Sequence, residues 1–168
     1  LDRVVDDQSI EGGISAIYGL DYSILDKKQN NELFVFKLAN NLRIENNDNL
    51  SRMNQLGEKV SNIFNEIEYK PNEFLSTKYT SAIKNNLRDK SYENFKTEFK
   101  INNFVTTFDY LNENNTLERN SYLSNKSSIN IDKFNNFTFS TRKNKTKDLT
   151  EYYNLMYQYK NDCLAASV

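Results

Sequence analysis

The chain has 168 residues, 38% of them hydrophobic and 13% aromatic, and its formal net charge of −1 predicts no nucleic-acid partner. A mean hydropathy of −0.79 is low for a folded protein, but disordered chains are poor in aromatic residues, so disorder of the whole chain is excluded. The sequence has no histidine and one cysteine, which excludes histidine acid–base catalysis, Cys–His nucleophilic sites and metal sites rich in histidine or cysteine.

In chain order, the sequence predicts about ten strands, because apolar and polar residues alternate in long runs between polar turns. After a charged loop over 1–13, the predicted strands cover 14–24, 33–44, 59–69, 75–83, 94–101, 104–110, 118–131, 137–141, 150–160 and 163–168. The predicted turns cover 26–31, 70–72, 85–90, 102–103, 112–116, 132–136, 143–149 and 161–162, and a longer polar loop covers 45–56. Strands joined in this way form an all-β, antiparallel up-and-down meander.

Alternation gives each predicted strand an apolar side and a polar side. Several strands exceed the usual five or six residues of a soluble sheet, and with the high aromatic content this is typical of a transmembrane β-barrel. In that setting lipid covers the apolar side and the polar side lines a wet lumen. The lipid-facing candidates are Tyr18, Leu20, Tyr22, Phe34, Phe36, Leu38, Phe99, Phe104, Phe108, Leu155 and Tyr157. The lumen-facing polar candidates are Asp21, Lys37, Arg43, Lys96, Glu98, Lys100 and Asp109.

A soluble antiparallel sheet, with one side on a core and one in water, produces the same alternation. The periodicity therefore leaves a soluble β-sandwich or meander open beside the barrel. Tyrosines near the ends of predicted strands are compatible with an aromatic girdle, although tyrosine is common in any strand. They are Tyr22, Tyr69, Tyr110, Tyr122 and Tyr152.

Both ends of the chain resemble the barrel of the LptD family, the outer-membrane lipopolysaccharide-assembly proteins also called organic solvent tolerance proteins (OstA). At the N-terminal end the resemblance is carried by Asp2-Arg3, Glu11-Gly12-Gly13 and Tyr18-Gly19-Leu20. At the C-terminal end it is carried by the run 149–155, then Tyr157, Tyr159 and Asn161-Asp162-Cys163. Because the chain begins without methionine and ends within a predicted strand, we expect residues 1–168 to be one segment, the C-terminal portion of such a barrel, incomplete at both ends.

The resemblance implies a component of a lipopolysaccharide translocon in the bacterial outer membrane. Such proteins insert lipopolysaccharide into the outer leaflet through the barrel lumen and a lateral gate. The implied partners are lipopolysaccharide, membrane lipid, a plug lipoprotein in the lumen (LptE-like) and a periplasmic bridge protein that binds an N-terminal domain outside this chain. Cys163 matches a family cysteine that forms a disulfide with the N-terminal region, although some members have two adjacent cysteines where this chain has Asp162-Cys163.

No residue pattern predicts catalysis, a cofactor or a metal. The acidic residues Asp6, Asp7 and Glu11 lack the spacing of an EF-hand, and no phosphate-binding motif follows Gly12-Gly13. We therefore expect a protein that is not an enzyme. Two alternatives to the translocon stay open, a generic outer-membrane porin or receptor barrel and a soluble all-β binding module.

Overall fold

A computed structural model describes residues 12–26, 31–50, 54–114, 119–161 and 163–168. Within these ranges the chain forms a single sheet with strand order β1 to β10, in which every neighbouring pair is antiparallel. The strands are β1 (Ser15–Leu25), β2 (Glu32–Arg43), β3 (Ile63–Asn72), β4 (Leu75–Ile83), β5 (Lys90–Ile101), β6 (Phe104–Asn114), β7 (Arg119–Asn130), β8 (Asn135–Asn144), β9 (Leu149–Lys160) and β10 (Ala165–Ser167). The predicted all-β, up-and-down meander of ten strands is confirmed.

The predicted turn over 70–72 is wrong, because β3 continues through it. Pro71 lies in a bulge, where the register shifts between Tyr69 and Asn72, and a bulge tolerates a residue that has no N–H to donate. The actual turn follows Asn72, whose side-chain oxygen accepts hydrogen bonds from the backbone N–H groups of Phe74 (2.9 Å) and Leu75 (3.0 Å). An Asx turn after the bulge thus replaces the proline turn.

Other boundaries move because polar residues extend the strands. Asn112 belongs to β6 opposite Ser121, and Lys143 belongs to β8 opposite Leu123, although both were predicted to lie in connections. Cross-strand pairing accommodates these polar side chains. Five predicted connections lie partly outside the described residues, over 1–11, 27–30, 51–53, 115–116 and at Asp162.

Strand register divides the sheet into two faces, since directly opposite residues share a face. Away from the bulges, one face carries the even-numbered residues of β1, β2 and β6 and the odd-numbered residues of β3, β4, β5, β7, β8 and β9. We call this the apolar face and the opposite one the charged face. All eleven lipid-facing candidates fall on the apolar face by register, and all seven lumen-facing candidates fall on the charged face.

The two edges of the sheet that hold the connections differ. The long-loop rim holds the connections 44–62, 84–89 and 145–148, and the short-turn rim holds 73–74, 102–103 and 131–134. The tightest packing lies at the long-loop rim, where Leu50 and Leu56 of the 44–62 connection are only 4% and 3% exposed. The described parts of this connection, residues 44–50 and 54–62, form a packed cap, although 45–56 was predicted to be a polar loop.

Buried polar groups tie the cap to the strand ends. Between β2 and the residues before β3 the register shifts, so that Leu42 pairs with Val60. At this irregularity the Asn40 side chain donates to the carbonyls of Ser61 (3.0 Å) and Asn62 (3.3 Å), and the Asn62 side chain donates to the Ser91 hydroxyl at 2.7 Å. These hydrogen bonds join β2, β3 and β5 at one rim.

Gly19, in the middle of β1, should not tolerate a larger residue. A Cβ atom there would lie 2.3 Å from the Leu38 carbonyl oxygen on β2, too close for any contact with backbone. Gly19→Ala is therefore expected to lower the free energy of unfolding by about 1–3 kcal/mol, despite the usual gain from replacing glycine in a strand. Urea unfolding measures the change. Gly12→Ala is the control, because a Cβ at Gly12 meets nothing within 4 Å, and a loss there as large as at Gly19 would contradict the steric argument.

Candidate functional site: two opposed faces of one sheet

The apolar face is exposed over most of its width. Its large side chains include Leu20 on β1, Phe108 on β6 and Leu155 on β9, which are 56%, 46% and 66% exposed. The described part of the chain contains no second sheet or helix that covers this face. An exposed apolar surface of this breadth marks a contact with another protein or with lipid.

Charged side chains avoid the central part of the apolar face. Those that register places on it, at or near strand ends, are Glu32, Lys90, Glu93, Arg119 and Lys143. The charged face instead carries charges along the middle of its strands. They are Asp21, Lys37, Glu66, Glu68, Lys78, Lys96, Glu98, Asp109 and Lys126, and the same face carries Lys100, Glu113 and Arg142 nearer to strand ends.

Ion pairs cross the first strands of the charged face. The Glu66 carboxylate lies 2.8 Å from the Lys78 Nζ and 3.5 Å from the Lys37 Nζ, so one acid on β3 bridges β2 and β4. Glu68 pairs with Lys70 on the same strand. Since Lys37 and Lys78 are about half exposed, each pair contributes little to stability, about 0–1 kcal/mol. The pairs therefore serve mainly to hold the side chains in place.

Further along the charged face, the carboxylates accept hydrogen bonds from uncharged side chains. Asp109 accepts a hydrogen bond from the Asn94 side chain at 2.6 Å, and Glu98 accepts one from the Thr107 hydroxyl at 3.3 Å. No described carboxylate lies within ion-pair distance of Lys96, Lys100 or Lys126. This part of the face thus presents basic groups without a bound counter-charge.

Three connected grooves lie along the charged face, which is therefore the concave face of the sheet. Their volumes are about 850, 580 and 410 Å³. Lys96 and Glu98 line both the first and the second groove, and Lys126 lines both the second and the third. The grooves form one hydrophilic trough that reaches from the start of β2 to β9.

The structure brings four of the predicted lumen residues together and separates three. Lys96, Glu98 and Lys100 line the first groove, and Asp109 joins Lys96 and Glu98 in the second. Asp21 and Lys37 lie opposite each other on β1 and β2, outside the three grooves.

The prediction that Arg43 lines an open polar surface is wrong. Its register places it on the charged face, but its side chain is only 5% exposed and donates to the Gly12 carbonyl oxygen. The physical reason is the segment before β1, because the Arg43 guanidinium lies against Gly12 and Gly13. Arg43 therefore belongs to the contacts of the long-loop rim.

Two of the five tyrosines that were predicted to be compatible with an aromatic girdle do not lie on the apolar face. Tyr122 and Tyr152 lie on the charged face, since they pair with Asn144 and Arg142 in the register of β7, β8 and β9. The Arg142 guanidinium carbon lies 3.9 Å from the centre of the Tyr122 ring, a cation–π contact, and its Nε lies 3.1 Å from Glu151. Tyr22, Tyr69 and Tyr110 lie on the apolar face.

Cys163 is exposed and has a free thiol. Its backbone N–H donates to the Asn161 side chain at 3.0 Å, in the connection before β10. A disulfide from Cys163 to a residue outside the chain stays a prediction.

Several charged residues of this face were not among the predicted lumen-facing residues. They are notably Glu66, Lys78, Lys126 and Arg142. Alternation alone would have placed Glu66 and Lys78 opposite the apolar positions of their strands. In β3 the apolar run is interrupted by Asn65, whose side chain donates to the Ser81 hydroxyl at 2.7 Å, and this weakened the signal. Arg142 follows Ser140 and Thr141, neither of which is apolar, so no apolar–polar alternation marks its position.

The turn between β7 and β8 should loosen in acid. Asp132 accepts hydrogen bonds from the backbone N–H of Phe134 (2.7 Å) and of Asn135 (2.8 Å), and these bonds hold the pKa of its carboxyl below the ordinary value. A lowered pKa in the folded state means that the stabilisation is complete above the ordinary pKa of aspartate, about 3.9, and is lost as the pH falls through the lower, folded-state pKa. Amide exchange at Phe134 should therefore accelerate only at strongly acidic pH. Asp132→Asn should abolish this dependence, and an unchanged acid response in that variant would contradict it.

The described residues contain no group of three or more histidine, cysteine, aspartate or glutamate side chains able to hold a metal ion. They also contain no helix with the length and apolar character needed to cross a bilayer. No protein-family model matches the chain, and no curated protein matches it.

Proposed function

We propose that this chain is part of the wall of a β-barrel in the bacterial outer membrane, with the apolar face toward lipid and the charged face toward an aqueous lumen. The observation that carries the proposal is the opposition of the two faces. One face of a single layer exposes Leu20, Phe108 and Leu155, and the other holds the mid-strand charges. A single sheet in water leaves its apolar face uncovered, whereas lipid covers it.

The hydrogen bonds of the polar residues on the apolar face also support this environment. Thr106 lies 2.7 Å from the Ser127 hydroxyl and accepts a hydrogen bond from the Asn125 side chain at 3.1 Å, and Thr77 lies 3.3 Å from the Thr97 hydroxyl. In hydrocarbon, polar groups must satisfy one another because no water is available. Mutual bonding lowers the cost of keeping these groups on a lipid-facing surface.

We further propose that the barrel inserts lipopolysaccharide into the outer leaflet. The resemblance of the two chain ends to the LptD family supports this, together with the hydrophilic trough, in which Lys96, Lys100 and Lys126 can bind the phosphates of a glycolipid. The plug lipoprotein, the periplasmic bridge protein and the Cys163 disulfide belong to the same proposal. The role is transport, in which no covalent bond is made or broken.

The test is fractionation of cells that produce the complete protein, with reducing and non-reducing gels side by side. We expect outer-membrane localisation and a mobility shift under non-reducing conditions that disappears in Cys163→Ser. Depletion of the protein should then reduce the lipopolysaccharide that reaches the cell surface. Localisation without the depletion effect would overturn the transport role and leave a generic porin or receptor barrel, and a water-soluble product would overturn the barrel in favour of a soluble binding module.

A further inference from the structure

The apolar face has a sharp border toward the long-loop rim. One register row from β3 to β7 is polar throughout, and the next row toward the short-turn rim is apolar or aromatic throughout. The polar row consists of Asn65, Ser81, Glu93, Asn112 and Ser121. The adjoining row consists of Ile67, Tyr79, Phe95, Tyr110 and Leu123.

Tyrosine hydroxyls join the two rows across this border. The Tyr79 hydroxyl donates to Glu93 at 2.8 Å, and Lys90 lies 2.5 Å from the same carboxylate. The Tyr110 hydroxyl accepts a hydrogen bond from Ser121 at 3.3 Å. Tyrosines with the ring in the apolar zone and the hydroxyl in the polar one are typical of the level of lipid headgroups.

The apolar side chains of this face form a band, here called the apolar zone, that is not parallel to the register rows. On β1 it extends from Ala16 to Ile24 and is centred on Leu20, whose register row becomes polar from β3 onward and ends at Ser121 on β7. On β9 the zone lies around Leu155, whose row crosses β5 at Phe99, whereas the row of Leu20 crosses β5 at Glu93.

The displacement from Glu93 to Phe99 along β5 gives the angle between the apolar zone and the register rows of the sheet. Six residues correspond to roughly 20 Å along a strand, and the eight steps from β1 to β9 correspond to roughly 38 Å across the sheet, so the zone is inclined by about 30°. Strands of outer-membrane barrels are tilted by about 35–45°. On β1 the run from Ala16 to Ile24 spans roughly 26 Å, or about 23 Å along the normal to the zone, close to the ~25 Å apolar band of such barrels.

We propose that this oblique zone is the part of the protein embedded in hydrocarbon, and that the polar row approaches the headgroups of the leaflet on the long-loop side toward its β7 end, at Ser121. The inference rests on the proposed barrel and adds its position in the bilayer. Leu20 and Leu155 lie at the same depth although they belong to different register rows. Leu20 and Ser121 lie at different depths although they share one row.

The experiment measures depth in the complete protein, reconstituted in phosphatidylcholine–phosphatidylglycerol vesicles. In a Cys163→Ser background, a fluorescent probe is attached to cysteine at Leu20, Ser121 or Leu155, and quenching by lipids brominated at different chain positions gives its depth. We expect equal depths for Leu20 and Leu155, and a difference of about 14 Å between Leu20 and Ser121. A probe at Lys96, on the charged face, should be quenched by aqueous iodide and little by brominated chains.

The outcomes separate the two proposals. Equal depths for Leu20 and Ser121, with a large difference between Leu20 and Leu155, would overturn the oblique zone and leave the barrel intact. No quenching by brominated chains at any apolar-face site would overturn the barrel itself, and a second protein layer would then cover that face. Polarised infrared spectra of the unlabelled protein measure the strand tilt independently, which keeps the test valid if a labelled variant does not fold.

Discussion

Arginine in place of Phe108 is expected to lower the free energy of unfolding in lipid vesicles by about 2–4 kcal/mol. Phe108 lies in the middle of β6 on the apolar face and is 46% exposed. Its direct neighbours across the strands are Thr97 and Asn125, neither of which carries a charge to pair with arginine. In the proposed bilayer the guanidinium would have to leave water for hydrocarbon, and that transfer is the source of the cost. Urea titration of vesicle-bound protein measures it.

The matched control is Thr107→Arg, one residue earlier on the same strand. Thr107 points to the charged face, lines the 580 Å³ groove and lies opposite Glu98, so an arginine there meets water and a carboxylate. We expect a change within about 1 kcal/mol. If Phe108→Arg costs no more than Thr107→Arg, the apolar face does not contact lipid and the proposed barrel is wrong.

The division of the sheet into faces was predictable from the sequence because it depends only on alternation. Leu20 and Phe108 lie on separate strands, yet a period of two is enough to place each on the same side as its apolar neighbours. Short Asn-rich turns then keep consecutive strands antiparallel, as Asn102 does with its positive φ of 52° between β5 and β6. Local rules therefore predict strand order and face.

Contacts between distant residues were not predictable in this way. The cap at the long-loop rim reads as a polar loop because its composition is polar, and its two leucines gain their burial from chain folding that no local pattern encodes. The same holds for Arg43, which alternation places correctly on the charged face, while contact with the segment before β1 helps to bury it. Tyr122 shows the converse, since its position near a strand end suggested a girdle although its own alternation places it beside Arg142.

The sequence predicts that the polar side faces a lumen, but it does not predict which charged side chains come together there, and this decides what the charged face can do. A flat sheet would present Lys96 and Lys126 as separate surface charges. The concave sheet gathers them around shared grooves, where Glu98 and Asp109 are already occupied by hydrogen bonds to neutral donors. Lys96 and Lys126 share this groove with Glu98 and Asp109, so a ligand that binds there meets charges of both signs.

Truncation of Leu56 to alanine is expected to destabilise the long-loop rim by about 2–4 kcal/mol. Leu56 is 3% exposed and Leu50, in the same connection, is 4% exposed, and a 2.7 Å hydrogen bond from the Asn47 N–H to the Gly57 carbonyl joins the two parts of the cap. The cavity left by alanine could not collapse easily, because a Cβ at Gly57 would already lie 2.1 Å from the Asn47 carbonyl oxygen. Urea unfolding gives the free energy, and amide exchange at Asn47 and Ser61 shows whether the cap opens by itself.

Leu87→Ala is the control for this truncation, since Leu87 lies at the same rim but is 68% exposed, and we expect a change below about 0.5 kcal/mol. The comparison with Phe108→Arg adds a second criterion. The cost at Leu56 comes from packing within the protein, so it should be the same in detergent micelles of different chain length and in vesicles. The cost at Phe108 comes from hydrocarbon around the protein, so it should depend on that medium. A medium-dependent effect at Leu56 would mean that the cap lies inside the apolar band, which would contradict the border drawn at Glu93 and Ser121.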